Sequence, residues 1–449
     1  MSNTIDNNND KSSLIRSWLY SIYNDEQTKT KHIWSMVVAG GGNSSLKDVF
    51  NQPGASASLR SALIPYSLDS FPTYTNKSIN VCVNIDTANI LGETSYAKTV
   101  ESLLKEEALS KDKHNISDIL NSNIFSIACT ATLRSLTPKR GDHRFIVSSV
   151  SNIDTFIYEF TIDKTEDLSR VQEDELTSDT IFLAIGDRSK KPYELMLNKY
   201  NPKKTVIIHD DPFKNLYDGK IKKVLCFSKD INGLTFDNRF NCFEDINLPE
   251  NTLVFPGTFN PIHNGHIELV KVALIKLGWD ITKPNPLIVF DIGCNNADKG
   301  FKSIDEIKKI IDQNVIILKD SGIINFAFSV SSVSLYSDKS YIYKNCYILQ
   351  GSDTFERVLN TKYYEHSEYK LIFSLTEIFM NGCKLIIGGR LSSPSDSTIL
   401  TSDKKFITAS LIINEKGKNI PAKILDTYIE LSEEDFRVDL SSSEVKLKK

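Results

Sequence analysis

The chain has 449 residues, enough for two or three domains, and a formal net charge of −4 at pH 7. That charge disfavours a broadly basic surface, so we expect no nucleic-acid partner. Seven scattered cysteines without a paired spacing indicate reduced thiols, and no apolar run approaches the roughly 20 residues of a membrane span. The N-terminus lacks the basic and apolar regions of a signal peptide. The sequence therefore predicts a cytoplasmic or nuclear protein without a membrane partner.

The N-terminal half opens with an Asn-rich stretch, which we expect to be disordered over residues 1–12. A short amphipathic helix follows, with apolar residues at Leu14, Trp18, Leu19 and Ile22. Residues 33–39 predict a strand, which runs into Gly40-Gly-Gly-Asn-Ser-Ser45 and a helix from Ser44. A glycine turn between strand and helix can cradle phosphate, but three glycines are as typical of a plain loop.

This glycine turn belongs to a wider pattern, with Pro53-Gly-Ala-Ser-Ala57 and Leu63-Ile-Pro-Tyr-Ser67. Together they resemble the C-terminal domain of the competence/damage-inducible protein family, some members of which are nicotinamide mononucleotide deamidases. The resemblance runs from about Leu14 to Leu197 and implies an α/β domain over residues 13–200. It also implies an active-site loop after the strand 125–131, a strand pair at 145–150 and 155–160, and a closing helix at 174–197.

The residues that carry deamidase chemistry in that family are replaced here. The family's Ser-Cys-Thr-Gly-Gly run aligns with Val38-Ala-Gly-Gly-Gly42, so its serine falls on Val38 or Ala39, which offer no nucleophile. A family lysine falls on Phe71, and the loop Thr-Gly-x-Ala-Gly-Pro reads Thr130-Ala-Thr-Leu-Arg-Ser135. Ser44 or Ser45 remains as an alternative nucleophile. We therefore expect an inactive domain that binds a ligand or joins two copies of the chain in a homo-oligomer.

Residues 201–249 predict a structured connector that adds strands to one neighbouring sheet. Its apolar runs are Thr205-Val-Ile-Ile-His209 and Lys222-Lys-Val-Leu-Cys-Phe227. His209 beside Asp210 and Asp211 suggests a metal site, but aspartates in a turn after a strand are the commoner reading. We expect no protein metal site.

The C-terminal half begins with a buried strand at Leu253 to Phe255, broken by Pro256 and Gly257. Apolar residues then recur at helical spacing, at Ile267, Val270, Ala273, Leu274 and Leu277. His263 and His266 fall at the start of this helix, where free N–H groups and the helix dipole favour phosphate. The pattern predicts a place to hold a nucleotide's phosphates. A zinc pair and simple helix capping are the alternatives.

Further strands alternate with helices from here on, which indicates a parallel sheet. The strands are expected at Leu287–Ile292, Ile324–Val330, Asn345–Gln350 and Leu385–Arg390, with helices at Ser303–Asn314 and from Phe355. Polar loops follow the strands at Pro256-Gly-Thr258, Asn296-Ala-Asp-Lys299, Gly351-Ser-Asp-Thr354 and Gly388-Gly-Arg390. Ligands bind at the carboxyl ends of such strands, so these loops predict one site.

Gly257-Thr-Phe-Asn-Pro-Ile-His-Asn-Gly-His266 resembles the G-[ST]-F-x-P-x-H-x-G-H signature of the nucleotidyltransferase superfamily, most closely that of nicotinamide or nicotinate mononucleotide adenylyltransferases. This resemblance implies a Rossmann-like parallel-sheet domain over residues 250–449. Gly351-Ser-Asp353 resembles the family's G-x-D motif. Leu440-Ser-Ser-Ser-Glu-Val-Lys446 resembles its closing I-S-S-T-x-[IV]-R motif, with Ser443 for threonine and Lys446 for arginine.

The implied reaction transfers AMP from ATP to nicotinamide or nicotinate mononucleotide and releases pyrophosphate, with Mg²⁺ carried by ATP. His263 and His266 are the implied catalytic residues. The implied nucleotide- and phosphate-binding residues are Gly257, Thr258, Phe259, Asn260, Lys299, Gly351, Asp353, Arg390, Ser442, Ser443 and Lys446. Two alternatives stay open: a cytidylyltransferase acting on a phosphorylated small molecule, and a catalytically decayed nucleotide-binding regulatory or scaffold protein.

Overall fold

A computed structural model describes residues 3–24, 31–109, 120–137, 140–193, 200–229, 236–279, 286–296, 300–323, 325–391 and 406–435. The chain forms two compact units, one of residues 1–102 and 120–210, the other of residues 103–119 and 211–449. Among the described residues, no helix combines the length and apolar character needed to cross a membrane.

The first unit is an α/β structure, as the sequence predicts. Its strands are β1 His32–Ala39, β2 Leu59–Leu63, β3 Asn123–Thr132, β4 His143–Val150, β5 Asp154–Ile162 and β6 Lys203–Ile208. Its helices are α1 Asn3–Tyr23, α2 Ser44–Phe50, α3 Ala55–Ser58, α4 Ser70–Thr75, α5 Ile85–Leu109, whose last residues group with the second unit, and α6 Arg170–Ser189, with a 3₁₀ turn at Lys164–Glu166. In the described part of the chain the strands form one sheet in the order β2-β1-β3-β4-β5-β6. β2, β1 and β3 run parallel, and β4, β5 and β6 continue antiparallel.

The first helix contradicts the prediction of disorder over residues 1–12 from Asn3 onward. Helix α1 begins at Asn3. Its apolar stripe packs into the core, with Ile15, Leu19 and Ile22 buried. Lys11 Nζ lies 3.4 Å from the buried Asp179 carboxylate. Forming the first turn of a helix is unfavourable, whereas adding residues to an existing helix is not. The docked part of α1 supplies that first turn, so the polar residues before it can extend the helix.

The glycine turn after β1 is held by a carboxylate from a distant helix. Gly42 adopts φ +84°, and a Cβ there would lie 2.6 Å from Ile181, so the position requires glycine. Asp174 Oδ1 accepts hydrogen bonds from the backbone N–H of Gly42 (2.7 Å) and Asn43 (3.1 Å). Asp174 Oδ2 accepts from the N–H (2.9 Å) and hydroxyl (2.7 Å) of Ser44. The donors that could cradle a phosphate are therefore bonded to the protein's own anion.

The second unit has its own sheet. Its strands are β7 Lys223–Ser228, β8 Phe240–Glu244, β9 Leu253–Gly257, β10 Ile288–Gly293, β11 Asn295–Asn296, β12 Gly300–Phe301, β13 Phe326–Ser331, β14 Tyr347–Gly351, β15 Lys384–Gly388, β16 Arg390–Leu391, β17 Phe406–Ile407 and β18 Tyr428–Leu431. Its helices are α7 Pro212–Tyr217, α8 Phe236–Arg239, α9 Asn264–Lys276, α10 Ile304–Asp320, α11 Tyr336–Ile342, α12 Ser352–Val358, α13 Glu368–Met380, α14 Ala409–Lys416 and α15 Ala422–Leu425, with a 3₁₀ turn at Thr361–Tyr364.

Within the described ranges, the main sheet has the order β18-β15-β14-β9-β10-β13-β7-β8. All neighbours from β18 to β13 are parallel, which confirms the Rossmann-like fold class. The chain builds β9, β10 and β13 outward in one direction and then returns to β14 on the other side of β9. The order therefore reverses between β9 and β14, which is where open α/β sheets bind ligands.

Two features of this sheet differ from the sequence analysis. The segment 201–249 does not add to one sheet: β6 pairs with β5 in the first unit, whereas β7 and β8 extend the second sheet antiparallel. Strand β18, which the sequence analysis missed, pairs with β15. Its pattern is Tyr-Ile-Glu-Leu, whose half-buried edge position gives a weak apolar signal.

A buried polar network attaches α11 to the sheet. Asp291 on β10 is fully buried, and Lys339 Nζ lies 2.5 Å from its Oδ2. Tyr343 donates its hydroxyl hydrogen to Asp291 Oδ1 at 2.8 Å, and Lys339 Nζ donates to Ser331 Oγ at 3.0 Å. Because each charge has partners, the network satisfies the requirement for burying an ion pair.

The first prediction concerns Asp174. Asp174→Ala leaves three amides and one hydroxyl of the glycine turn without their acceptor, so we expect a loss of about 1–3 kcal/mol in unfolding free energy, the usual cost of bonds to a charged group. Urea denaturation of the full chain measures this loss. Glu175→Ala, an exposed neighbour on the same helix, is the matched control and should leave the midpoint unchanged. Equal midpoints for both variants would contradict a stabilising role for Asp174.

Candidate functional site

The turn after β9 is built around the ring of Phe259. Phe259 is 1% exposed and packs edge-on against Phe255, Phe290 and His266, with ring centroids 5.2–5.4 Å apart. A Cβ at Gly257 would lie 2.5 Å from the Phe259 ring, so glycine is needed for this close packing. Phe259 itself adopts φ +42°, an uncommon conformation for a bulky residue. Its flanking residues Thr258 and Asn260 remain exposed.

A fully buried amide on α10 fixes the same turn. Asn314 Nδ2 donates to the Phe259 carbonyl at 2.6 Å and to the Ile310 carbonyl at 2.8 Å. Asn314 Oδ1 accepts from the N–H of Ile262 at 2.7 Å. One side chain thus bonds the carbonyl of the strained residue and the N–H of a residue three positions later. Asn314 ties the turn to α10 and is a positioning residue that the sequence analysis did not identify.

The two histidines lie together at the start of α9. His263 occupies the N-cap position with extended backbone, and His266 is the third residue of the helix. The imidazole rings stack, with centroids 3.7 Å apart and planes 27° apart. His266 Nδ1 accepts the backbone N–H of His263 at 3.3 Å. A neutral imidazole whose Nδ1 accepts a hydrogen bond carries its proton on Nε2, so His266 offers an Nε2–H donor.

Both imidazoles are held neutral. Burial lowers the pKa of His263 below its usual 6.5. Burial, and after it the neighbouring His263, lowers the pKa of His266 to about 3. Desolvation penalises the charged ring, and a second cation stacked at this distance is penalised further. At pH 7 the pair therefore supplies hydrogen-bond donors and not positive charge.

The described pairing of β9 with β14 ends before this turn, so a crevice is expected between the carboxyl ends of the two strands. Strand β9 pairs with β10 along its whole length, to Gly257 opposite Ile292. Its described pairing with β14 consists of Leu253 with Tyr347 and Val254 with Ile348. Gly257 and Gly351 both lie three residues beyond that last pair, so they line the two sides of the opening. The histidine turn and the Gly-Ser-Asp motif therefore face the same crevice.

The predicted residues on the β14 side are already paired with each other. Asp353, in the first turn of α12, forms an ion pair with Arg390 Nε after β15. Gly351 pairs with Gly388 across the two strands, which brings these ends together. Gln350, directly before Gly351, is 1% exposed, and neither polar atom of its amide has a partner among the described residues. The predicted loop Gly351-Ser-Asp-Thr354 is thus a helix start and not an open loop.

Several predicted residues lie outside the described residues: Lys299, Ser442, Ser443 and Lys446. Their roles stay predictions. Among the described residues, no group of three or more His, Cys, Asp or Glu side chains could hold a metal ion. Of the predicted residues, Gly257, Thr258, Asn260, His263 and His266 belong to the turn after β9, and Gly351, Asp353 and Arg390 follow the neighbouring strands β14 and β15. Phe259 belongs to the same turn, but its side chain is buried in the core.

In the first unit, the residues that replace the family's deamidase residues are buried. Val38 and Ala39 are buried within β1, and Phe71 is 3% exposed in a second apolar cluster. The two serines that remained as alternative nucleophiles make structural hydrogen bonds: Ser44 Oγ donates to Asp174, and Ser45 Oγ donates to the Gly42 carbonyl at 2.7 Å. These side chains serve packing and the turn.

Comparison with known proteins gives a match in the second unit. A family model described as cytidylyltransferase-like matches residues 254–321, which cover β9, the histidine turn, α9, β10 and α10. Residues 254–321 are therefore similar to the cytidylyltransferase-like domains of the nucleotidyltransferase superfamily. No curated protein matches the chain.

Solved structures of one family are also similar to the chain. The competence/damage-inducible protein CihA from Agrobacterium tumefaciens shares 12% identity over 38% of this chain and 94% of its own, with a TM-score of 0.30. The competence-damaged (CinA) superfamily protein from Enterobacter cloacae shares 11% identity over 39% of this chain and 89% of its own, with a TM-score of 0.27. The competence or damage-inducible protein from Enterobacter asburiae shares 9% identity over 39% and 94%, with a TM-score of 0.27.

Proposed function

We propose that the second unit transfers AMP from ATP to nicotinamide or nicotinate mononucleotide and releases pyrophosphate. The observation that carries this proposal is the neutral histidine pair at the start of α9, beside the crevice where the strand order reverses. A donor next to a helix start suits a phosphate that gains charge in the transition state.

The reaction needs no protein nucleophile. A phosphate oxygen of the mononucleotide attacks the α-phosphorus of ATP, a new P–O bond forms, and the bond between the α-phosphorus and its bridging oxygen breaks. The bridging oxygen and its electron pair leave with pyrophosphate. Catalysis then consists of holding the two phosphates in line and stabilising the charge on the α-phosphate.

Residues on both sides of the crevice have roles in this proposal. Thr258 and the amides of its turn hold phosphate, and His263 and His266 donate hydrogen bonds to the α-phosphate. Arg390 and Asp353 hold the nucleotide from the β14 side. Lys299, Ser442, Ser443 and Lys446 bind the triphosphate, which arrives with Mg²⁺ as part of the substrate. The metal screens the negative charge of the phosphates.

The choice of acceptor rests on the resemblance of residues 13–200 to a family that includes nicotinamide mononucleotide deamidases. We propose that residues 13–200 and 250–449 are separate functional domains that recognise the same class of nucleotide. The first domain lacks the deamidase nucleophile, and its glycine turn is bonded to Asp174. It therefore contributes binding or assembly and not hydrolysis.

A second candidate function is cytidylyl transfer to a phosphorylated small molecule. The description of the family model over residues 254–321 favours it. The chemistry at phosphorus is the same, and the two candidates differ only in the base of the triphosphate and in the acceptor.

One assay separates these possibilities. Purified full-length protein is incubated with Mg²⁺, each nucleoside triphosphate and each acceptor, and pyrophosphate and ammonia are measured. We expect pyrophosphate with ATP and a nicotinamide or nicotinate mononucleotide, and no ammonia. Release with CTP alone would support cytidylyl transfer, and no release with any pair would leave the regulatory or scaffold alternative. Ammonia from nicotinamide mononucleotide would contradict the inactive first domain.

The second prediction concerns His266. His266→Ala removes the Nε2–H donor and the cap on the N–H of His263, so we expect kcat to fall by roughly 10²–10³, the usual cost of one such donor. ATP affinity, measured by calorimetry, should change far less. His366→Ala, at an exposed histidine of the same unit, is the control. Unchanged turnover in a folded His266→Ala protein would remove His266 from the mechanism.

The third prediction concerns Asn314 as a positioning residue. Asn314→Asp keeps the acceptor for Ile262 but loses the donor to the Phe259 carbonyl, so the turn should shift. We expect kcat/KM to fall roughly 10- to 100-fold, since misplacement by about 1 Å costs that much. Gln313→Ala, on the exposed face of α10, is the control. If Asn314→Asp lowers only the unfolding free energy and leaves kcat and KM unchanged, Asn314 is structural alone.

A further inference from the structure

Strand β6 is an edge strand whose second half is apolar and exposed. It ends the first sheet, and its three consecutive apolar residues Val206, Ile207 and Ile208 are 49%, 43% and 72% exposed. Ile153, beside the end of β6, is 64% exposed. Isolated edges of this kind promote pairing with another chain, and proteins normally blunt them with prolines, bulges or inward charges. Residues 203–208 contain no proline, and β6 pairs with β5 in a continuous register without a bulge. Lysines occupy the first two positions of the strand, whereas Val206 to Ile208 carry no charge.

The backbone of β6 has an outward-facing set of hydrogen-bonding groups. β5 and β6 pair antiparallel with Asp154 opposite Ile208, and the N–H of His209 donates to the Ile153 carbonyl at 3.0 Å. Bonding alternates along an antiparallel pair. The odd-numbered residues of β6 therefore bond to β5, and the even-numbered residues Lys204, Val206 and Ile208 direct their N–H and C=O groups away from the sheet.

The sequence of β6 complements itself when two copies of the strand run antiparallel with Ile207 opposite Ile207. In that register Val206 lies opposite Ile208 of a second copy, and Lys204 lies opposite its Asp210. The outward groups of Val206 and Ile208 then form a hydrogen-bonded pair, as the alternation requires. If the strands instead pair with Val206 opposite Val206, Lys204 lies opposite the apolar Ile208 of the second copy. The two-fold register about Ile207 thus combines an apolar centre with opposite charges at each end.

The geometry points to a homodimer in which β6 pairs antiparallel with β6 of a second copy of this chain, about a two-fold axis at Ile207. The pairing would join two first-unit sheets into one continuous sheet. A symmetric interface of this type needs the same patch on both copies. Lys204 and Asp210 lie at equal distances on either side of Ile207, so each lysine meets the aspartate of the other copy. Lys204 also lies 2.7 Å from Asp187 of its own chain, which orients the lysine on the strand.

A proline substitution tests the backbone pairing. Val206→Pro removes an outward N–H and leaves the hydrogen bonds to β5 intact, a position where edge strands tolerate proline. Light scattering after size exclusion should give wild type a mass near twice 50.6 kDa, and Val206→Pro should raise the dimer dissociation constant at least about tenfold. Val206→Thr, which keeps the N–H and the branched shape, is the matched control and should dimerise far more tightly than Val206→Pro.

Cysteine crosslinking tests the register. Two copies of Ile207→Cys would face each other in a non-hydrogen-bonded pair with Cα atoms about 4.5 Å apart, within disulfide range. Two copies of Lys203→Cys would lie about 26 Å apart along the strands, although position 203 is exposed. We expect a disulfide-linked dimer on non-reducing gels from Ile207→Cys, and none above the wild-type background from Lys203→Cys.

Three results would overturn the proposal. A monomeric wild-type protein with no Ile207→Cys crosslink would exclude self-pairing. A dimer that Val206→Pro leaves intact would place the interface elsewhere. Equal crosslinking from Ile207→Cys and Lys203→Cys would indicate random collision. Circular dichroism of each variant shows whether it is folded, and Ile207→Cys reports on the pairing even if Val206→Pro does not fold.

Discussion

The site of the second unit depends on one buried carboxamide. Thr258 and Asn260 are exposed, so the turn between β9 and α9 has few contacts to fix it. Phe259 holds a positive φ, which costs an L-residue roughly 1–2 kcal/mol. Asn314 bonds the carbonyl of Phe259 and the N–H of Ile262, and each such bond stabilises the fold by about 1 kcal/mol. The Phe259 ring adds burial. The amide and the ring together offset the strain, and the histidines then start α9 in a fixed place.

The histidine pair shows how packing selects a chemical role. Stacking within 3.7 Å and burial keep both rings uncharged, so they can donate hydrogen bonds without attracting anions at long range. In the proposed function, positive charge for the triphosphate therefore comes from other residues. Arg390 is the cation that the described structure brings to the crevice from the β14 side, and it pairs there with Asp353. In the proposed function, a nucleotide competes with Asp353 for that guanidinium or binds to the pair as a unit.

The sequence was sufficient for the parts of the fold that depend on local patterns. Strand β9, its glycine turn, helix α9 and the alternation of strands and helices all follow from apolar spacing and breakers. Long-range partners do not follow from such patterns. Asn314 reads as one polar residue at the predicted end of a helix, which in fact continues to Asp320. The pairing of Asp353 with Arg390 and the antiparallel addition of β7 and β8 depend on contacts between distant segments.

The two glycine turns of this chain also differ because of contacts between distant segments. Each follows a buried strand and precedes a helix, and each has the geometry that could cradle an anion. In the first unit, α6 brings the carboxylate of Asp174 to the amides of Gly42, Asn43 and Ser44, so the turn is bonded to a charge of its own chain. In the second unit, the group at the helix start is the imidazole of His266, which accepts a backbone N–H on one nitrogen and keeps a donor on the other. A carboxylate at that place neutralises the donors of the turn, whereas a neutral imidazole adds one. In the proposed function, the residue that the rest of the fold brings to the helix start, and not the glycine pattern, decides which turn binds phosphate.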